Sequence, residues 1–235
     1  MAAAPLSTGR MRHSPYQTVA QAVTAVLLLA AGQRALAAGD LRVRVLDRDG
    51  GPVPEVVISA RRLGVTLERQ AVTATASMNQ HDLSFDPHVL AVEARTRIRF
   101  PNDDDVRHHV YSFSPAKQFN FSVDSGTVQE EMVFDVAGIV TLGCNIHDEM
   151  LAYIVVVDTP YFAMTDLLGG VELTGLPAGR YEITIWSARV APKNLPGPVE
   201  IAVADGGIAT WEHRFEARLY PAHRHSETSL QRSRY

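Results

Sequence analysis

Cysteine is nearly absent: one residue, Cys144, in a chain of 235. No internal disulfide can therefore staple the fold. Basic residues are also short, 22 Lys and Arg against 26 Asp and Glu. A net charge of −4 argues against nucleic-acid binding, which needs clustered Lys and Arg set against phosphates. Long apolar runs are missing except near the start, where Val19 to Gly32 is broken by Gln21. That run is shorter than the ~20 residues of a membrane-spanning helix. Nor does any long stretch carry the period of an amphipathic helix.

The N-terminal apolar run has the neighbours of an export signal. Arg10 and Arg12 precede it, and Ala35-Leu36-Ala37 follows with small residues at the cleavage positions. Residues 1–37 are expected to be a signal peptide, with Met11 as a second candidate start. Cleavage removes Arg10, Arg12 and Arg34 and no acid, leaving 19 basic and 26 acidic side chains, a net charge of −7. The expected product is acidic and exported, periplasmic in a bacterial host, with no membrane span after cleavage. A lone thiol in an oxidising compartment needs protection, by burial or by a metal.

Period-two alternation and closely spaced turns predict an all-β fold. Leu41 to Leu46 alternates, Asp47-Arg48-Asp49-Gly50-Gly51 turns, and Val56 to Ala60 follows. Further strands are expected at Ile98–Phe100, His109–Phe113, Met132–Phe134, Ile139–Leu142 and Ala152–Val157. Others follow at Val171–Leu173, Tyr181–Trp186 and Val199–Val203. Residues 219–235 are polar and are expected to be a disordered tail, its histidines at most a loose metal-capture tract.

The stretch Cys144-Asn145-Ile146-His147-Asp148-Glu149-Met150 puts a thiol, an imidazole and a thioether on one loop between two apolar strands. Upstream, Asn102-Asp103-Asp104-Asp105-Val106-Arg107-His108-His109-Val110 supplies further imidazoles. Cys, two His and a weak Met are the ligand set of a mononuclear blue-copper electron-transfer site. His108, Cys144, His147 and Met150 are therefore the expected ligands of one type 1 copper per chain. Cys144 as thiolate selects a soft metal, the imidazoles complete a trigonal set, and Met150 is the long axial ligand. Neighbours on a strand point to opposite faces, so only one of His108 and His109 can ligate. His81 and His88 read as surface residues with no site, and Asp103-Asp104-Asp105 as a solvated turn. A Cys144–His147 nucleophilic pair is the enzymatic alternative, yet nothing marks a third group to orient the base. Oxidase chemistry would need further His-x-His ligands, and His223-Arg224-His225 in the tail is the one such pair. Zinc fits the same donors less well, because of the methionine.

Two resemblances extend this reading. Phe85-Asp86-Pro87, then Phe100-Pro101-Asn102 with five residues before His108, then Cys144-x-x-His147-x-x-Met150, make residues 78–158 similar to plastocyanin-type cupredoxins. The short ligand loop resembles that of amicyanin. The resemblance implies His108 rather than His109 as the first ligand, and leaves His109 beside the site or facing solvent. Its asparagine after the first histidine ligand is replaced here by His109, whose imidazole can take over the hydrogen bond tying the two ligand loops. Asp148 and Glu149 replace apolar residues of the amicyanin loop. Including the stretches around His108–Ser114, Gly143–Asp148 and Asp158-Thr159-Pro160, nearly the whole mature chain is similar to exported methylamine utilization proteins.

Asp49-Gly50-Gly51-Pro52-Val53-Pro54, Thr165-Asp166-Leu167-Leu168-Gly169 and Leu176-Pro177-Ala178-Gly179-Arg180-Tyr181 resemble the turns of transthyretin-like domains related to carboxypeptidase regulatory domains. The implied organisation is a cupredoxin Greek-key sandwich at 70–160, inserted in or fused to an accessory sandwich made of 38–69 and 161–218. One continuous, enlarged sandwich is the rival arrangement. The implied function is a periplasmic electron carrier, not a substrate-converting enzyme, whose partners are redox proteins such as an amine dehydrogenase or a c-type cytochrome. The alternative is a copper-holding assembly or maturation factor for another periplasmic enzyme.

Overall fold

Alternation along β1 (Gly39–Leu46) buries Leu41, Val43 and Val45 and leaves Arg42 and Arg44 in solvent, as a half-buried strand requires. The computed structural model describes residues 37–66 and 74–223. Residues 1–36 of the expected signal peptide and 224–235 of the expected tail lie outside the described residues. The next strands are β2 (Val57–Arg62), β3 (Thr75–Ser77), β4 (Asn79–His81), β5 (Ser84–Asp86), β6 (Val89–Glu93), β7 (Thr96–Pro101) and β8 (His108–Ser114). Then come β9 (Lys117–Val123), β10 (Val128–Phe134), β11 (Gly138–Cys144), β12 (Leu151–Val157) and β13 (Phe162–Met164). The series ends with β14 (Gly170–Leu176), β15 (Gly179–Trp186), β16 (Val199–Val203) and β17 (Ile208–Arg214). The chain is all-β, and among the described residues no helix is long and apolar enough to cross a membrane.

The two ends of the described chain pair with each other. β1 lies between β14 and β17, and β2 lies between β13 and β15, with β16 outside β15. One core, including Leu41, Val45, Ile58, Leu173, Tyr181 and Ile183, fills the space between these two sheets. The strands in between form a five-stranded sheet, β6-β12-β11-β8-β9, and a three-stranded sheet, β10-β7-β3. A second core, including Phe85, Ile98, Phe100, Val140, Cys144 and Met150, lies between those. The run Ile154-Val155-Val156-Val157 is buried on both faces of β12. Ile154 and Val156 join the second core. Val155 and Val157 turn the other way and meet Val57 and Val89 in a third cluster. This cluster joins the two sandwiches, which explains why β12 lacks alternation.

The Thr165–Gly169 and Leu176–Tyr181 motifs hold turns of the first sandwich. Thr165 Oγ1 donates to the Val53 carbonyl at 2.8 Å and accepts the Val56 N–H at 3.0 Å. Tyr181 donates its hydroxyl to the Pro177 carbonyl at 2.6 Å, and burial raises its phenol pKa. Gly169 has φ +71°, and a Cβ there would stand 2.5 Å from the Val45 carbonyl oxygen. Gly169→Ala is therefore expected to cost about 1–3 kcal/mol, read as a lowered midpoint in denaturant unfolding.

Candidate metal centre

Three donors converge at one end of the second core. His108 opens β8, where it pairs with Val123 of β9. Cys144 closes β11, where it pairs with Val110 of β8. The loop after Cys144 brings His147 back, held by the Met150 N–H donating to the His147 carbonyl at 3.1 Å. Cys144 Sγ lies 3.9 Å from His108 Nδ1 and 3.9 Å from His147 Nδ1. The three donor atoms all fall within 4.8 Å of one another. The imidazole planes are 62° apart, with ring centroids at 5.0 Å.

These spacings suit a shared ion. Metal bonds of about 2.3 Å to sulfur and about 2.0 Å to nitrogen, meeting near 120°, separate the donors by roughly 3.7 Å. His108 is fully buried, Cys144 is 4 % exposed and Met150 is 2 % exposed, while His147 is partly open to solvent. Met150 packs in the same cluster as Cys144. The expected residues His108, Cys144, His147 and Met150 thus share one end of one core, a grouping consistent with a type 1 copper site.

His109 faces the other way from His108. Its Nδ1 pairs with the Asn145 side-chain amide at 3.1 Å, and its carbonyl accepts the Asn145 N–H at 3.0 Å. The stretches that carry His108 and Cys144 are therefore tied together through His109 and Asn145. Asn102, 1 % exposed, shapes the stretch before it. Its amide donates to the carbonyls of Val106 and Val123 at 2.8 and 3.1 Å, and its Oδ1 accepts the Asp104 N–H at 3.0 Å.

Two sequence expectations are corrected. The aspartate run is not wholly a solvated turn: His108 Nε2–H donates to Asp104 Oδ2 at 2.7 Å, and the Asp104 side chain is 10 % exposed. Leu83 N–H donates to the same oxygen at 3.1 Å. An ionised carboxylate only accepts, so with Asp104 ionised Nε2 carries the proton, and Nδ1 is the nitrogen that faces Cys144 Sγ at 3.9 Å. Secondly, His88 is 6 % exposed rather than a surface residue. The packing of the two sandwiches covers it: its ring stacks on His223 at 4.2 Å and meets Tyr153 edge-on at 5.6 Å. His81 is exposed, as expected, with Nε2 3.3 Å from Asp82 Oδ2. In the expected tail, Tyr220 N–H donates to the Arg189 carbonyl at 2.8 Å, and Leu219 packs against the first core.

No protein-family model and no curated protein matches the chain. Solved structures similar to part of it include a purple cupredoxin from Nitrosopumilus maritimus, at 22 % identity and a TM-score of 0.31, covering 36 % of this chain and 99 % of that one. A copper-containing nitrite reductase from Thermus scotoductus is 20 % identical with a TM-score of 0.34, over 42 % of this chain and 26 % of that one. A reduced amicyanin variant is 14 % identical with a TM-score of 0.33, over 44 % of this chain and 99 % of that one.

Proposed function

We propose that this protein is a type 1 copper electron carrier of the cupredoxin kind, exported to the periplasm, that passes single electrons between redox proteins. The observation that carries this reading is the pair of 3.9 Å sulfur–nitrogen spacings around one buried cysteine. His108, Cys144 and His147 would hold the ion, with Met150 as the weak fourth donor. Bound there, copper supplies a one-electron couple. The residues supply the rest. β8 and β11 fix His108 and Cys144 by backbone pairing, the core excludes water, and the His109–Asn145 contact limits movement of the ligand loop. A cage held this rigidly changes little between oxidation states. His147, the partly exposed ligand, is the natural port for a partner. Redox partners of the dehydrogenase or c-type cytochrome kind, and a role in amine oxidation, belong to this proposal. So does a transthyretin-like or carboxypeptidase-regulatory-like origin for the first sandwich.

The test is to load the mature protein with Cu(II) and record visible and EPR spectra. An intense charge-transfer band with narrow copper hyperfine splitting is the expected result. A colourless protein with ordinary tetragonal copper defeats the proposal. Midpoint potential and self-exchange rate, set against metal transfer to an acceptor protein, separate a carrier from a copper-holding assembly factor.

Asp148 and Glu149 stand exposed beside His147. Negative charge there favours the more positive Cu(II) state. Asp148→Asn with Glu149→Gln is expected to raise the midpoint potential by roughly 10–50 mV, solvent screening keeping the effect small. Potentiometry at low and high salt checks both the sign and the screening.

A further inference from the structure

A cavity of about 800 Å³ opens beside His147. Its walls come from the ligand loop, from the turn between β4 and β5, and from the segment after β17 that reaches Arg189. We propose that this cleft binds a small organic cation with an apolar body, of the class of protonated arylalkylamines. The volume lies within the ~300–1,000 Å³ usual for small-ligand sites.

Charge selects the sign of the ligand. Asp82, Asp148 and Glu149 line the cleft, and all three are exposed. Among the described lining residues Arg189 is the one Lys or Arg, and its Nε donates to the Tyr220 carbonyl at 2.9 Å. The inner wall holds His88, 94 % buried, whose Nδ1 has no hydrogen-bond partner among the described residues. The nearest carboxylate oxygen to that nitrogen is Glu55 Oε2 at 3.9 Å, on a side chain only 9 % exposed. The three acids at the mouth act in the same sense, and low-dielectric walls focus such a field. Burial raises the Tyr153 phenol pKa, so that wall contributes a neutral hydroxyl and an aromatic ring.

Apolar surface selects the body. Leu83, Leu151 and Tyr220 line the same cleft while 47 %, 39 % and 55 % exposed. A hydrocarbon or aryl group lying over them removes that surface from water, while its ammonium group meets the carboxylates. An anion of the same shape meets three carboxylates, and a neutral analogue gains only the apolar part.

The site does not depend on an occupied metal centre, so the experiment uses metal-free protein. Benzylammonium, benzyl alcohol and benzoate, matched in shape, are titrated into the isotope-labelled chain and followed by NMR. Benzylammonium should shift the resonances of Tyr153, Leu151 and Glu149 saturably, binding about 5-fold or more tightly than benzyl alcohol, with benzoate weakest. Asp148→Asn with Glu149→Gln, both on exposed side chains, should weaken benzylammonium alone, as should added salt. Equal affinity for the three probes, a cation affinity indifferent to the double variant, or no saturable shifts overturns the proposal. Each of those outcomes leaves the copper reading untouched.

Discussion

Cys144→Ser is expected to erase the visible charge-transfer band of the copper-loaded protein and to widen its copper hyperfine splitting to ordinary tetragonal values. In a type 1 copper site the cysteine thiolate is the one soft, anionic donor, and its short sulfur bond is the source of both signatures. A serine hydroxyl stays protonated at neutral pH and is a poor ligand for a soft ion. Copper(I) affinity should fall by more than about 100-fold, beyond what loss of an outer hydrogen bond costs. The chain itself should survive. Cys144 sits at the end of β11, paired with Val110, and the replacement hardly changes its volume. Unfolding midpoints of the metal-free proteins check that point, and equilibrium competition with a chelator reads the affinity. Had Cys144 been a core residue and nothing more, its 4 % exposure would explain it completely. The variant would then change stability slightly and leave the spectra alone.

The grouping of His108, Cys144 and His147 was legible because such donors are chemically rare. One cysteine, a histidine three positions on and a methionine three beyond that favour shared ligation over a nucleophilic pair or a zinc site, and strand alternation allows only one of two adjacent histidines. The longer strands were legible for a similar reason: Leu41 to Leu46 and Tyr181 to Trp186 each carry enough alternation to fix a face. Strands of three residues, such as β4 and β13, are too short to show a period. β17 reads as IATWEHR, and its place beside β1 comes from a pairing across nearly the whole chain. His88 escaped for the same cause. Next to a proline it looks like a turn residue, and its burial arises from Tyr153 and from a segment more than a hundred residues away. Asp104 was hidden by its neighbours. Three aspartates in a row favour solvent as a group, and only the folded loop, ordered by Asn102, turns the middle one inward.

That inward carboxylate should tune the metal centre through His108. Asp104→Ala should weaken Cu(II) binding about 10–100-fold, the usual cost of removing an outer partner of a metal-bound imidazole. The contact with His108 does two things. It fixes the tautomer that presents Nδ1 to the cysteine sulfur, and it places a negative charge 2.7 Å from the imidazole, which strengthens the ring as a donor to the more positive ion. If the loss falls on Cu(II) and spares Cu(I), the midpoint potential rises by roughly 60–120 mV, one decade in affinity being 59 mV for one electron. Asp104→Asn separates the two effects, because the amide oxygen still accepts the Nε2 proton while the charge is gone. It should keep the tautomer, seen in the metal-free protein by nitrogen NMR of His108, and yet raise the potential. The alanine variant should lose both, with exchange between tautomers as its mark. The thiolate band should persist in either variant, since Cys144 and its pairing with β8 are untouched. An unchanged potential in both would leave Asp104 as a brace for the Leu83 turn alone, through the N–H it accepts at 3.1 Å.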